Sequence, residues 1–273
     1  MERLRACMQP FGIDQWGACR FSELPPLLEV RSRERIPQNA QSVLVFLFGY
    51  YTEAFPDRNI ARYAVPDDYH SILRPLLAEV AASCAERFPG EAFVPFIDSS
   101  PIDEVAAAAL AGLGEVGLIG LLLNPVYGSY CFIGEIVTTL PLEIPPPQPQ
   151  QLCTRCGACR AACPSGALAQ GRFTRERCRS ELTQKKGELT LWEQEQIREG
   201  GLVWGCDRCT EACPVNRSAA KSRVEGFYRN PAPVVDAQNA ALLCKTKSYG
   251  WRGKNILLRN LHILSGETKD VVS

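Results

Sequence analysis

Eight of the thirteen cysteines in this 273-residue chain fall between residues 153 and 213. The first four read Cys153-x-x-Cys156-x-x-Cys159-x-x-x-Cys163-Pro164. Three thiolates at this short interval can wrap three iron corners of one [4Fe-4S] cube from a single tight loop. The fourth opens a segment that points away, and in two-cluster ferredoxins it ligates the other cube. Downstream, Cys206-x-x-Cys209-x-x-x-Cys213-Pro214 lacks the third short-spaced thiol, and Cys178 stands as its replacement. Two cubes take eight thiolates, so the count closes with none left over. The natural assignment puts Cys153, Cys156, Cys159 and Cys213 on one cluster and Cys163, Cys178, Cys206 and Cys209 on the other. Zinc also binds Cys-x-x-Cys pairs, but a zinc ribbon has no need of the four-cysteine run ending in Cys-Pro. Arg155, Arg160, Arg177 and Arg179 lie among the ligands, where they either offset cluster charge or form a solvated face.

The remaining cysteines, Cys7, Cys19, Cys84, Cys131 and Cys244, are scattered and read as small core residues. Cys84 recurs with Leu76, Val80 and Phe88 at helical spacing. Nothing in residues 1–21 resembles a secretory signal, so a disulfide framework is not expected. The longest apolar runs, 43–51 and 116–123, fall well short of the ~20 residues of a membrane helix. A soluble, cytoplasmic chain with no membrane partner is the expectation. Thirty basic residues balance thirty acidic ones, which excludes an overall nucleic-acid footprint. Lys245, Lys247, Arg252, Lys254 and Arg259 form the one basic stretch, and a solvated face accounts for it.

A cluster domain needs elements to hold it and a second domain to use its electrons. Residues 42–48 are a continuous apolar run, the mark of a strand covered on both faces. A helix is predicted over 69–88, ended by Pro89-Gly90, and a strand over 92–97. Ser100 is read as the cap of a following helix, with Pro101 in its first turn and Asp103 at its third position. A further strand is predicted over 130–140. Strands alternating with helices favour an α/β or α+β sheet domain. Proline-rich composition over 141–151 reads as an extended linker. The expected organisation is therefore an α/β domain at 1–142, a linker at 143–151, the cluster domain at 152–217 and a tail at 218–273 ending in a helix over 255–264.

Several ordered motifs resemble the epoxyqueuosine reductases. They include Ile60-Ala61-Arg62-Tyr63-Ala64, Asp68-Tyr69-His70, Asp98-Ser99-x-Pro101-x-x-Glu104 and Ala111-Gly112-Leu113-Gly114. Gly128-Ser129-x-x-Phe132-x-Gly134-Glu135 follows, then Gly205-Cys206-Asp207-x-Cys209 through Cys213-Pro214 and Asn216-Arg217. Leu257-Leu258-Arg259-Asn260 resembles the opening of that family's C-terminal helical repeats, and the chain stops soon after, which implies a short form without them.

The resemblance implies an N-terminal cobalamin-binding α/β domain like that of reductive dehalogenases, followed by the two-cluster ferredoxin-like domain. It implies that one cluster feeds low-potential electrons to the corrin and that a carboxylic acid then supplies a proton to the substrate. That acid falls on Asp98, and Ser180 falls on a cobalamin-contacting position. A ferredoxin or flavodoxin is the implied electron donor, and epoxyqueuosine in tRNA a possible substrate. One departure stands out: Gly117 is followed by Leu118-Ile119 where the family carries a lysine. His70 is not expected to be a cobalt ligand. Two rival readings are an electron carrier without the corrin, and an iron–sulfur sensor or interaction module.

Overall fold

The computed structural model describes residues 1–169 and 173–266. The chain divides into two units, each assembled from separate stretches of sequence. The first comprises Met1–Tyr51, Tyr69–Cys156 and Pro214–Glu225. Its strands are β1 (Trp16–Arg20), β2 (Ser42–Gly49), β3 (Phe93–Ile97), β4 (Glu115–Val116), β5 (Leu122–Leu123) and β6 (Cys131–Thr138). Its helices are α1 (Glu2–Met8), α2 (Tyr69–Arg87) and α3 (Glu104–Leu110). Four strands form one sheet in the order β1-β2-β6-β3, every pair antiparallel, while β4 and β5 make a separate hairpin. Of the two expected sheet classes, this is the α+β one.

The apolar run of β2 is buried at all eight positions because both faces of the sheet are covered. Val43, Val45 and Leu47 share a cluster with Ile133, Val137 and the α3 residues Ala107 and Ala108. On the opposite face Leu77 of α2 reaches Gly134, where an added Cβ would stand 2.7 Å from Leu77 Cδ1. The predicted helix over 69–88 is α2, and it lays Leu73, Leu77, Val80 and Cys84 inward at helical spacing.

The cap of α3 differs from expectation. Asp103, not Ser100, is the N-cap, its Oδ1 accepting from Ala106 N at 3.0 Å. Asp98 and Ser99 both take positive φ (50° and 47°), and Ser100 Oγ accepts from Ile102 N at 3.2 Å. A short hydroxyl side chain bonding its own neighbouring backbone builds a turn in place of a helix start, so the helix begins three residues later. The proline-rich stretch ends in fixed contacts within this unit. Gln150 Nε2 donates to Gly112 O at 2.8 Å, and the Glu115 carboxylate accepts from Leu152 N (2.6 Å) and Cys153 N (2.9 Å).

The second unit comprises Thr52–Asp68, Gly157–Cys213 and the chain from Gly226 on. Its helices are α4 (Ala158–Ala162), α5 (Arg179–Gln184), α6 (Leu191–Gly200), α7 (Arg208–Glu211), α8 (Ala240–Leu243) and α9 (Lys254–Ser265). Ile60, Val203, Trp204, Val235, Tyr249 and Leu257 form its core. Helix α9 matches the one predicted over 255–264 and closes that core. Asn260 is fully buried there, donating from Nδ2 to Thr183 O (2.7 Å) and Val203 O (2.8 Å). Two of the five residues in the basic stretch serve the fold itself. Arg259 donates to Lys185 O and Gly187 O, and buried Lys247 bonds Val65 O and Asp67. Among the described residues no helix is long and apolar enough to cross a membrane.

Candidate functional site

In the second unit α4 packs on α7, which brings the two Cys-Pro corners into one element pair. Cys163 follows α4, and Cys209 lies within α7. Burial pushes the Cys209 thiol up to about 12, and the charges of Cys206, Cys178 and Cys163 act in the same direction. Those are the four ligands assigned to the second cluster, so each lies within electrostatic reach of Cys209. Bound iron reverses this balance, since a coordinated thiol is deprotonated outright. No three Cys, His, Asp or Glu side chains among the described residues converge on a single ion. A cube spreads its four thiolates over four irons, so its ligands stand farther apart than those of one ion.

The loop carrying Cys206 is fixed from beneath. Ala61 N donates to Trp204 O at 2.7 Å, and Gly205 N donates to Thr183 Oγ1 at 2.8 Å. Gly205 has φ 74°, and a Cβ there would stand 2.4 Å from Ala61 Cβ, so glycine is required both for conformation and for space. Asp207 is buried against Arg58 Nη1 (2.8 Å) and accepts from Arg62 N (2.8 Å). Burial raises its pKa, and the Arg58 charge works against that rise. These contacts explain the Ile60–Ala64 and Gly205-Cys206-Asp207 motifs as one clamp. Arg179 is buried, bonded to Glu199 at 2.7 Å, and its charge lowers the Cys206 thiol while burial raises it. Arg179 is therefore a cation facing the cluster ligands rather than part of a solvated face. Cys159 and Cys213 also belong to this unit, whereas Cys153 and Cys156 belong to the first. Ser180 lies in the first turn of α5, its hydroxyl accepting from Gln184 Nε2 at 3.3 Å.

In the first unit Asp98 leaves the end of β3, beside the start of β6 because the two strands run antiparallel. Its side chain is 54% exposed, and its Oδ2 lies 3.2 Å from His70 Nε2. That bond, against the opposing effect of burial, holds the Asp98 carboxyl below the usual carboxylate range. The Tyr69 ring stacks on Phe132 at 4.0 Å and on His70 at 4.1 Å. Asp98, Glu104, Tyr69, Leu121, Cys131 and Phe132 line a cleft of about 100 Å³. Burial pushes Glu104 up to about 7, with the Asp98 charge as the next cause. Burial likewise pushes Glu135 up to about 8. The two glutamates carry only an ambiguous signal in sequence, being motif residues whose burial cannot be read from spacing. Leu118-Ile119 sits in the β4–β5 hairpin, with Ile119 buried.

The profile of the family described as epoxyqueuosine reductase QueG, DUF1730, matches residues 31–99, which hold β2, α2, His70 and Asp98. The 4Fe-4S double cluster binding domain matches residues 152–216. The chain resembles the epoxyqueuosine reductase family. It is 34% identical to the epoxyqueuosine reductase of Lactococcus garvieae over 215 residues, 75% of this chain and 60% of that protein. It thus matches less than two thirds of that relative's length. A crystal structure of epoxyqueuosine reductase with a tRNA-Tyr epoxyqueuosine-modified stem loop shares the fold, with TM-score 0.81, 24% identity, and coverage of 99% of this chain and 82% of that one. A reductive dehalogenase studied for B12-dependent dehalogenation shares it more distantly, with TM-score 0.53, 21% identity, and coverage of 97% of this chain and 36% of that one.

A corrin is far larger than this 100 Å³ cleft. The exposed Asp98 carboxyl and the aromatic rim of Tyr69 and Phe132 fit a ring or substrate laid across an open face.

Proposed function

We propose that this chain reduces an epoxide-bearing nucleoside of the epoxyqueuosine class in tRNA, with electrons relayed through two [4Fe-4S] clusters to a cobalamin. The observation that carries this reading is Asp98. It stands on the family motif, on a turn with two consecutive positive-φ residues, and faces an aromatic-lined cleft. Cobalamin, when bound, supplies a strongly reducing cobalt centre, and the hard chemistry belongs to it. The protein's part is to position, to supply electrons and to manage protons.

Cys153, Cys156, Cys159 and Cys213 hold one cluster in this reading, and Cys163, Cys178, Cys206 and Cys209 the other. A low-potential donor such as a ferredoxin or flavodoxin loads them. The Ser180 hydroxyl, in the turn after Cys178, contacts the cofactor. Asp98 donates a proton at the reacting carbon–oxygen bond, and the Tyr69 and Phe132 rings exclude water beside it. Anaerobic reconstitution with iron, sulfide and cobalamin, followed by incubation with epoxyqueuosine-containing tRNA, tests the proposal. Product formation that is lost in Asp98→Asn with clusters intact supports it. Full cluster content with no corrin absorbance change at saturating cobalamin would leave an electron carrier instead.

A further inference from the structure

The two assigned ligand sets have charges of opposite sign beside them. Glu115 stands in β4, half-buried, and its Oε2 accepts from Leu152 N at 2.6 Å and from Cys153 N at 2.9 Å. Glu115, Leu152 and Cys153 all belong to the first unit. Cys153 opens the set Cys153, Cys156, Cys159 and Cys213. Glu115 forms no ion pair among the described residues, so no cation offsets its charge at that corner. Arg155 and Arg160 lie in the same ligand run but are exposed, where water screens them.

The other set, Cys163, Cys178, Cys206 and Cys209, has the reverse arrangement. Arg179 follows Cys178 directly, is buried, and lines one cavity with Cys206. Its Nη2 pairs with Glu199 at 2.7 Å, but that carboxylate is 54% exposed, so the buried member of the pair is the cation.

A [4Fe-4S] cube gains a negative charge when it takes an electron, so a nearby anion disfavours reduction and a nearby cation favours it. Backbone N–H groups that bond cluster sulfur favour reduction for the same reason. Glu115 therefore works against reduction twice. It brings a negative charge to the amide of a ligand, and it occupies two N–H groups that cannot then be given to sulfur.

We propose that Glu115 sets the cluster of Cys153, Cys156, Cys159 and Cys213 at the lower potential of the two, so that electrons enter there and pass downhill to the cluster beside Arg179. The inference rests on the ligand assignment and the electron relay proposed above. Each transfer moves one electron: the first cube is oxidised as the second is reduced, and no proton or covalent bond is exchanged. The low-potential ferredoxin or flavodoxin then reduces the first cube again. Glu115 is a positioning residue in this scheme, since it touches the backbone of a ligand and neither iron nor substrate.

The test is a redox titration of the full chain reconstituted with iron and sulfide, followed by electron paramagnetic resonance, in wild type, Glu115→Gln and Glu115→Ala. Glutamine keeps an oxygen for both N–H groups and removes only the charge. Glu115→Gln should raise the lower midpoint, with about tenfold more of that cluster reduced at a fixed potential, a shift of ~59 mV for one electron. Glu115→Ala also frees the two N–H groups and should raise the same midpoint further. The higher midpoint should stay in place in both. An unmoved lower midpoint in Glu115→Gln at full iron content would overturn the proposal. So would equal shifts of both midpoints, or loss of iron, since the carboxylate would then act by holding the loop together. Arg179→Gln should move the higher midpoint down, and movement of the lower one in its place would refute the order. No corrin, tRNA or turnover enters these readouts. Wild-type protein without about eight irons per chain would sink the ligand assignment itself, whereas full iron and an unmoved midpoint sink this inference alone.

Discussion

His70 Nε2 stands 3.2 Å from Asp98 Oδ2, and the histidine ring is itself stacked on Tyr69. The carboxyl best placed to give a proton is thus paired with a group that stabilises its anion. In the proton-donating role proposed for Asp98 it must be reprotonated in each turnover, and its pairing with His70 sets how hard that is.

Replacing His70 by Phe should therefore move the Asp98 titration upward. Carbon-13 NMR of the side-chain carboxyl, compared between wild type and variant, reads this directly. Because an acid must hold its proton to donate it, activity should then persist to higher pH. An unmoved midpoint would transfer the effect to the Ser99 backbone and Tyr69, which also lower this group.

Cys178 is the ligand proposed to close the count of eight, and Cys209 and Cys206 both feel its charge. Cys178→Ala should reduce iron from about eight to about four per chain, with the remaining cluster still visible by electron paramagnetic resonance. Iron at the wild-type level would mean that another residue completes the second cluster.

The double-cluster domain is legible in the cysteine pattern alone, because thiolate spacing is a covalent constraint of the cube. The both-face burial of β2 and the extent of α2 are equally readable, since continuous apolar runs and helical periodicity follow directly from packing. The clamp around Cys206 is not. Arg58 and Asp207 lie far apart in the chain, and their pairing depends on segments that meet only in the folded unit. The α3 cap escapes a reading by spacing because Ser100 and Asp103 are both good cap residues, and the positive φ of Asp98 and Ser99 makes the choice. The roles of Lys247 and Arg259 run against the usual expectation for a basic stretch, because each is spent on backbone carbonyls.

Arg179 supplies a positive charge next to Cys206. Removing it should make the nearby cluster harder to reduce, since cluster potential follows local charge. Arg179→Gln is expected to shift one of the two midpoints negative by on the order of tens of millivolts, leaving the other in place. A redox titration followed by electron paramagnetic resonance distinguishes them. Equal shifts in both clusters would point to a loosened fold, since Arg179 also holds Glu199 and Gln196.

Buried Glu135 gives the stability of the fold a pH dependence. Its ordinary pKa of 4.5 is raised to about 8 in the folded chain, chiefly by burial. Between those values the native state binds more protons than the unfolded state, so stability falls as pH rises. The contribution is fully present below pH 4.5 and is lost once pH passes about 8. A tenfold difference in proton affinity between the folded and unfolded chain corresponds to about 1.4 kcal/mol, so the loss across this window amounts to a few kcal/mol at most. Glu135→Gln cannot ionise and should flatten the decline. Anaerobic thermal melts of the holoenzyme at pH 6 and pH 9 should show a large drop in Tm for wild type and a smaller one for the variant. Parallel drops would mean that Glu135 is already ionised at pH 6.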